Sequence, residues 1–218
     1  MGLDLFQSQT VFCGQVEEWA YGQGYRALIG LDEAGRGPLA GPVVAAAVSL
    51  PRPHTVDGLN DSKRLSERQR ETLYERILSE CTSYGIVSIE PDEIDATNIL
   101  VASLKAMGLA WQRAVESSPK VEEALVLVDG NQRATIRSSI EQRPIVKGDA
   151  RSMNIAAASI LAKVTRDRIM QEAHVQWPEY GFDRHKGYPT TAHRAAIAQC
   201  GPCPIHRMSF RLGTDCDG

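Results

Sequence analysis

The sequence predicts an α/β domain built on a mixed sheet, and three observations predict it. Short apolar runs come first in hairpin style, later runs are separated by helical periodicities, and the closing segments of the 218-residue chain are helical. The hydrophobic fraction of 43% and charged fraction of 23% are those of an ordinary globular protein, which excludes disorder, collagen and coiled coil.

The elements follow in order. Residues 26–32 (RALIGLD) read as a strand entering a Gly-rich turn, and Val43 to Leu50 as a second, buried strand. The Gly/Pro link between them predicts a hairpin. Ser66 is placed to cap a helix running to about Glu80, with Leu73, Ile77 and Leu78 at helical spacing. Tyr84 to Ile89 is a third strand. Asn98 to about Val115 is a helix whose apolar stripe is Leu100, Leu104, Met107 and Trp111. Ala124 to Val128 runs as a strand into Asp129-Gly130, and Pro144 to Val146 makes a short fifth strand before Lys147-Gly148-Asp149. An Ala-rich helix follows from Met153 to about Met170, its Ala156 to Ala158 allowing close packing on the sheet. Thr190 to Ala198 is the last helix, stopped by Gly201 and Pro202. With no repeat or linker, residues 26–218 are expected to form one domain, preceded by an extension or helix at 1–25.

Net charge is −3, from 24 Lys+Arg and 27 Asp+Glu, a balance unpromising for a nucleic-acid binder. Resolved along the chain it separates: residues 1–130 carry 11 basic and 19 acidic side chains, residues 131–218 carry 13 and 8. The second part, at net +5, offers a phosphate-facing side. No apolar run approaches the ~18 residues of a membrane span; the longest, Leu39 to Leu50, contains Gly41 and Pro42. The N-terminus lacks a signal pattern, and five cysteines do not make a disulfide framework. A cytoplasmic protein, not embedded in a membrane, is expected.

Asp32-Glu33 closes the first strand, Asp129 the fourth, and Asp149 follows the fifth. Function in open α/β sheets collects at strand ends. Carboxylates gathered there repel unless a cation neutralises them, and oxygen ligands without Cys or His select Mg²⁺ or Mn²⁺. Each acid alone could be a turn residue or a cap. Neighbouring strand residues face opposite ways, so Asp32 and Glu33 share a site only if the chain bends, as Gly35 and Gly37 permit.

Gly35-Arg36-Gly37-Pro38-Leu39-Ala40-Gly41 superficially matches a dinucleotide loop but fails its test, because an extended run rather than a helix follows. It offers bare backbone beside a guanidinium suited to phosphate, or simply a tight turn. Ser159, Lys163 and Arg166 form a polar and basic stripe opposite Ile160, Leu161 and Val164, fit to follow a phosphate backbone or to face water. Tyr188 stands beside two potential cations, where it could stack on a sugar or base or pack on the surface. Cys200-Gly201-Pro202-Cys203 spells a redox motif, but it follows a helix instead of opening one.

Several segments together resemble the bacterial ribonuclease HII family. They are residues 30–43 (GLDEAGRGPLAGPV), Asp61-Ser62-Lys63, Val128-Asp129-Gly130-Asn131, Lys147-Gly148-Asp149, residues 156–167 (AAASILAKVTRD), Gly187-Tyr188-Pro189, and Pro204 to Phe210. Asn154 and Met208 are minor departures. The resemblance implies a ribonuclease H-like fold, a mixed five-stranded sheet flanked by helices with a helical C-terminal part. It implies endonucleolytic cutting of RNA in RNA/DNA hybrids and 5′ of ribonucleotides in duplex DNA, leaving 3′-hydroxyl and 5′-phosphate ends. By analogy Asp32, Glu33, Asp129 and Asp149 hold two divalent ions, Mg²⁺ or Mn²⁺, in a two-metal site. Gly35, Arg36 and Gly37 correspond to the loop that reads the 2′-hydroxyl, Tyr188 to a Tyr that stacks on the following deoxyribose, and Lys63, Ser159 and Lys163 to phosphate-side contacts. Asp167, flanked by Arg166 and Arg168, is expected to be a structural ion-pair partner outside the metal set. A monomer is expected, and a sliding-clamp partner is left open. The alternatives are a thiol-disulfide oxidoreductase using Cys200 and Cys203, and a non-catalytic nucleic-acid-binding domain, which would have no use for acids facing phosphates.

Overall fold

The computed structural model describes residues 12–53, 56–59 and 65–213. Five strands, β1 (Leu28–Ala34), β2 (Val43–Ser49), β3 (Ser83–Ile89), β4 (Leu125–Asp129) and β5 (Gln142–Ile145), form one sheet in the order β3-β2-β1-β4-β5. β2 runs antiparallel to β1 and β3, while β4 runs parallel to β1 and β5. The expected mixed sheet is thus present. β2 is buried at every residue because helices cover both faces, whereas the edge strand β3 alternates buried with more open positions.

Seven helices are described: α1 (Gln15–Gly22), α2 (Glu67–Glu80), α3 (Pro91–Ala96), α4 (Ile99–Ser117), α5 (Met153–Gln176), α6 (Phe182–His185) and α7 (Thr191–Cys200). Ser66 closes a full capping box with Gln69 at α2, and Asn98, Ser152 and Thr190 cap α4, α5 and α7 through their side chains. No described helix is long and apolar enough to cross a membrane.

One face of the sheet carries α4, the other α5 and α2. On α4 the expected stripe is rotated: Leu100 is 40% exposed, and the sheet is met by Ala102, Ala106, Ala110 and Ala114 beside Met107 and Trp111. The contact is too close for larger side chains, since a Cβ on Gly85 would lie 2.1 Å from the Ala110 carbonyl oxygen. On the other face Ala156 to Ala158 are fully buried, and a Cβ on Gly30 would lie 2.2 Å from the Asn154 carbonyl carbon. α5 therefore rests almost backbone to backbone on β1.

Three departures bear on the site. β1 and β2 are not joined by a tight turn; residues 35–42 make a longer loop between them. α5 runs past Met170 to Gln176, and there Met170 and Ala173 pack with Tyr180, Phe182 and Ile197 in a separate C-terminal core. α1, without a readable signal, packs Val16 and Ala20 against Leu28, Leu125 and Ile155. Its Glu17 caps α5 from outside, Oε1 accepting from the Ser152 hydroxyl (2.6 Å) and the Asn154 backbone N–H (3.1 Å).

Candidate active site

β1 and β4 are parallel neighbours with Leu31 opposite Val128, so the next residues, Asp32 and Asp129, emerge together at the C-terminal ends of adjacent strands. Strand pairing persists to Ala34 opposite Val44, so the bend anticipated at Asp32-Glu33 lies beyond the pair. Both acids nevertheless line one cleft of about 250 Å³ with Asp129.

The cleft crowds its carboxyls. Burial pushes the Asp32 carboxyl well above the usual range, and Asp129 and Glu33 push it further; hydrogen bonds from the Ser159 hydroxyl and the Glu33 N–H (2.7 Å) partly offset this. Glu33 is also raised, by burial and by Asp129, against the opposing pull of Arg36, whose Nη1 lies 3.3 Å from Oε1. Asp129 Oδ1 accepts the Gly148 N–H at 2.7 Å. That bond ties the strand end to the turn bearing Asp149, which is buried but does not line the cleft with the other three. The charge of Asp149 reaches Cys13, whose thiol burial, Glu17 and Asp149 push up to about 12. Among the described residues no three His, Cys, Asp or Glu side chains are gathered tightly enough to enclose an ion by themselves. The donor set still fits hard divalent cations: it is all carboxylate oxygen, and its members destabilise one another until positive charge arrives.

Gly35, Arg36, Gly37 and Tyr188 form part of the cleft wall. Gly35 has φ +100°, and a Cβ on Gly37 would lie 3.7 Å from Tyr188 Cε1, so the ring rests against this loop. Ser159 and Lys163 also reach the cleft. Arg166 does not act as the basic stripe suggested. It is 1% exposed and donates to the carbonyls of Ala40, Pro42 and Lys186. Asp167 is an ion-pair partner, but of Lys163 (2.6 Å), while Arg168 pairs with Glu71 and Glu75. Burial lowers the Lys163 ammonium against this pairing. Lys63 lies outside the described residues. Sequence reasoning missed Arg70, which lines the cleft from the first turns of α2 with Nη1 2.6 Å from the Leu65 carbonyl. Its signal was a cation at i, i+3 and i+7 with Leu73 and Ile77, on the face of α2 that turns inward.

The cysteine motif has the wrong chemistry for redox exchange. Cys203 is buried, its thiol raised by burial, and its Sγ lies 3.1 Å from His206 Nδ1. An active thiol needs its pKa lowered.

A family model described as Ribonuclease HII matches residues 29–212. The ribonuclease HII of Syntrophotalea carbinolica is 48% identical over 209 residues, spanning 96% of this chain and 97% of that protein. The crystal structure of ribonuclease H2 from Pyrococcus horikoshii is 26% identical with a TM-score of 0.64, covering 86% of this chain and 95% of that one. Bst-RNase HIII in complex with Mn²⁺ is 17% identical with a TM-score of 0.70, covering 88% of this chain and 70% of that one, a likeness of fold alone.

Proposed function

The chain belongs to the ribonuclease HII family, and from that premise we infer that it is a metal-dependent endonuclease acting on RNA in RNA/DNA hybrids and on ribonucleotides embedded in duplex DNA. It cuts on the 5′ side of the ribonucleotide. The observation that carries this reading is that Asp32 and Asp129, each one residue beyond the Leu31–Val128 pair of adjacent strands, line one cleft whose wall includes Gly35 to Gly37 and Tyr188.

Asp32, Glu33 and Asp129 are the residues proposed to hold divalent ions, with Asp149 joining them through the Gly148 turn. Either Mg²⁺ or Mn²⁺ suits the all-oxygen set. When bound, the ions supply an activated water and charge stabilisation for the leaving oxygen. The water oxygen bonds to phosphorus in line with the departing 3′ oxygen. That oxygen leaves as a 3′-hydroxyl, and the ribonucleotide keeps the 5′-phosphate.

The chain's own part is positioning. Gly35, Arg36 and Gly37 face the ribose whose 2′-hydroxyl separates RNA from DNA. Tyr188 supports the next deoxyribose, and Ser159, Lys163, Lys63 and Arg70 are assigned to phosphates. The thiols at Cys13, Cys81, Cys200 and Cys203 are free, which suits a reducing cytoplasm.

The test is incubation of a DNA duplex bearing one ribonucleotide with and without Mg²⁺ or Mn²⁺, mapping the cut. Metal-dependent cleavage 5′ of the ribonucleotide is expected; cleavage of all-DNA duplex at the same rate would sink the reading.

A further inference from the structure

Beneath the loop of residues 35–42 lie two buried guanidiniums that the mechanism does not use. Arg207 is wholly buried and donates to the carbonyls of Gly35 (2.7 Å), Arg36 (3.1 Å), Pro38 (2.9 Å) and Gly41 (2.9 Å). Arg166 donates to Pro42 (2.9 Å), Ala40 (3.0 Å) and Lys186 (2.9 Å). The Arg207 backbone N–H adds a bond to the Leu39 carbonyl at 2.8 Å. Burial lowers both groups, Arg166 to about 10 and Arg207 to about 9, and the Arg166 charge lowers Arg207 further. Among the described residues neither forms an ion pair with a carboxylate. Their donors are spent on peptide oxygens.

A trans peptide unit points its C=O and the following N–H in opposite directions. Fixing the Gly35 carbonyl on Arg207 Nη2 therefore turns the Arg36 N–H away from the guanidinium, and fixing the Arg36 carbonyl on Nη1 does the same for Gly37 N–H. These two amides have no hydrogen-bond partner among the described residues, and both residues line the cleft. Arg166 meanwhile joins the far end of the loop to Lys186, two residues before Tyr188. Gly35 has no room for a side chain, because a Cβ would lie 2.1 Å from Arg166 Nε.

We propose that Arg207, supported by Arg166, is a positioning residue for ribose discrimination: it grips the carbonyl side of the loop so that the Arg36 and Gly37 amides are presented to the substrate. The proposal rests on the cleft being the ribonucleotide site. A lysine retains the charge but not the planar fork needed to hold four carbonyls. Arg207 is itself anchored through the residues that follow it, since Asp95 accepts the backbone N–H groups of Met208 (2.7 Å) and Ser209 (3.0 Å).

The experiment compares wild type, Arg207→Lys and Asp95→Ala. It reads kcat/KM on a duplex with one ribonucleotide, and Ki for an uncut all-DNA duplex of the same sequence. Arg207→Lys is expected to lose about 30-fold in kcat/KM with Ki unchanged within about twofold, a split that general loosening of the fold would not produce. Asp95→Ala, which only slackens the tail, is expected to lose about threefold in the same direction. It carries the test alone if Arg207→Lys fails to fold. Folded variants with wild-type kcat/KM, or with kcat/KM and 1/Ki falling together, overturn the positioning role. A wild type that does not favour the ribonucleotide overturns the reading of the cleft and the clamp with it.

Discussion

Two regions of this enzyme bury ionisable groups, and they treat them in opposite ways. At the ends of β1 and β4, burial and the neighbouring carboxylates raise Asp32 and Glu33, with hydrogen bonds and Arg36 offsetting only part of the rise. Beneath residues 35–42 and in the C-terminal core, Arg166, Arg207, His193 and His206 are held in their less charged direction, yet each is fully engaged. The guanidiniums meet carbonyls, and His193 links the Tyr188 carbonyl (3.0 Å) to His206 (3.1 Å). In the scaffold each buried basic group meets oxygen or imidazole partners, whereas in the cleft carboxyls meet carboxyls as well as their donors.

The contrast is most sharply tested by Asp129→Asn. Cleavage is expected to fall by ~10³-fold or more, the scale of losing charge stabilisation by a metal, while Tm holds or rises by a few degrees because like-charge repulsion is relieved. A lower Tm would mean that Asp129 belongs with the scaffold. Next in size is the effect of the ion itself. Mn²⁺ at about 100 times its Kd is expected to stabilise the wild type by about 2.7 kcal/mol. Calorimetry should show that rise abolished by chelator and reduced in Asp129→Asn.

Acid separates the regions further. Burial first, then the neighbouring imidazoles against the Tyr188 carbonyl, hold His193 down to about 4 from 6.5. Between those values the unfolded chain takes a proton that the folded one refuses, so this group's contribution to stability is lost as pH falls through that window. Asp32 and Glu33 run the other way: raised in the folded state, they bind protons before the unfolded chain does, and acidification favours folding through them. In metal-free protein, Asp32→Asn should steepen the fall of Tm with acid and His193→Asn should flatten it. Parallel slopes would refute the opposition. Smallest is Cys200→Ser, which removes an exposed thiol and should leave nuclease rates within about twofold; a large loss would reopen a redox role.

Much of this arrangement was legible in the sequence because it is local. The Ser66 cap, the apolar strands and the acids at their ends are set by neighbours a few residues away. What stayed hidden depends on distant chain. The Ser159, Lys163 and Arg166 spacing shows a shared helix face but not that the Gly35–Pro42 loop covers part of it, turning Arg166 inward. Asp167 chose Lys163, one helical turn back, over its chain neighbours, because adjacent helix residues diverge. Asn154, a minor departure in sequence, is buried and joins the Leu50 N–H (2.9 Å) to Glu17 (2.9 Å), so it ties β2 to α1. α1 and α3 are short, only eight and six residues, yet Glu17 and Asp95 give them work at a distance.

The grip of Arg207 on Gly35 spans 172 positions of chain. During synthesis, the acids at Asp32 and Asp129 emerge from the ribosome long before the arginine that orders the neighbouring loop. In the proposed scheme the acids are therefore made well before the clamp, and the ordered loop becomes available only after residue 207 has been made.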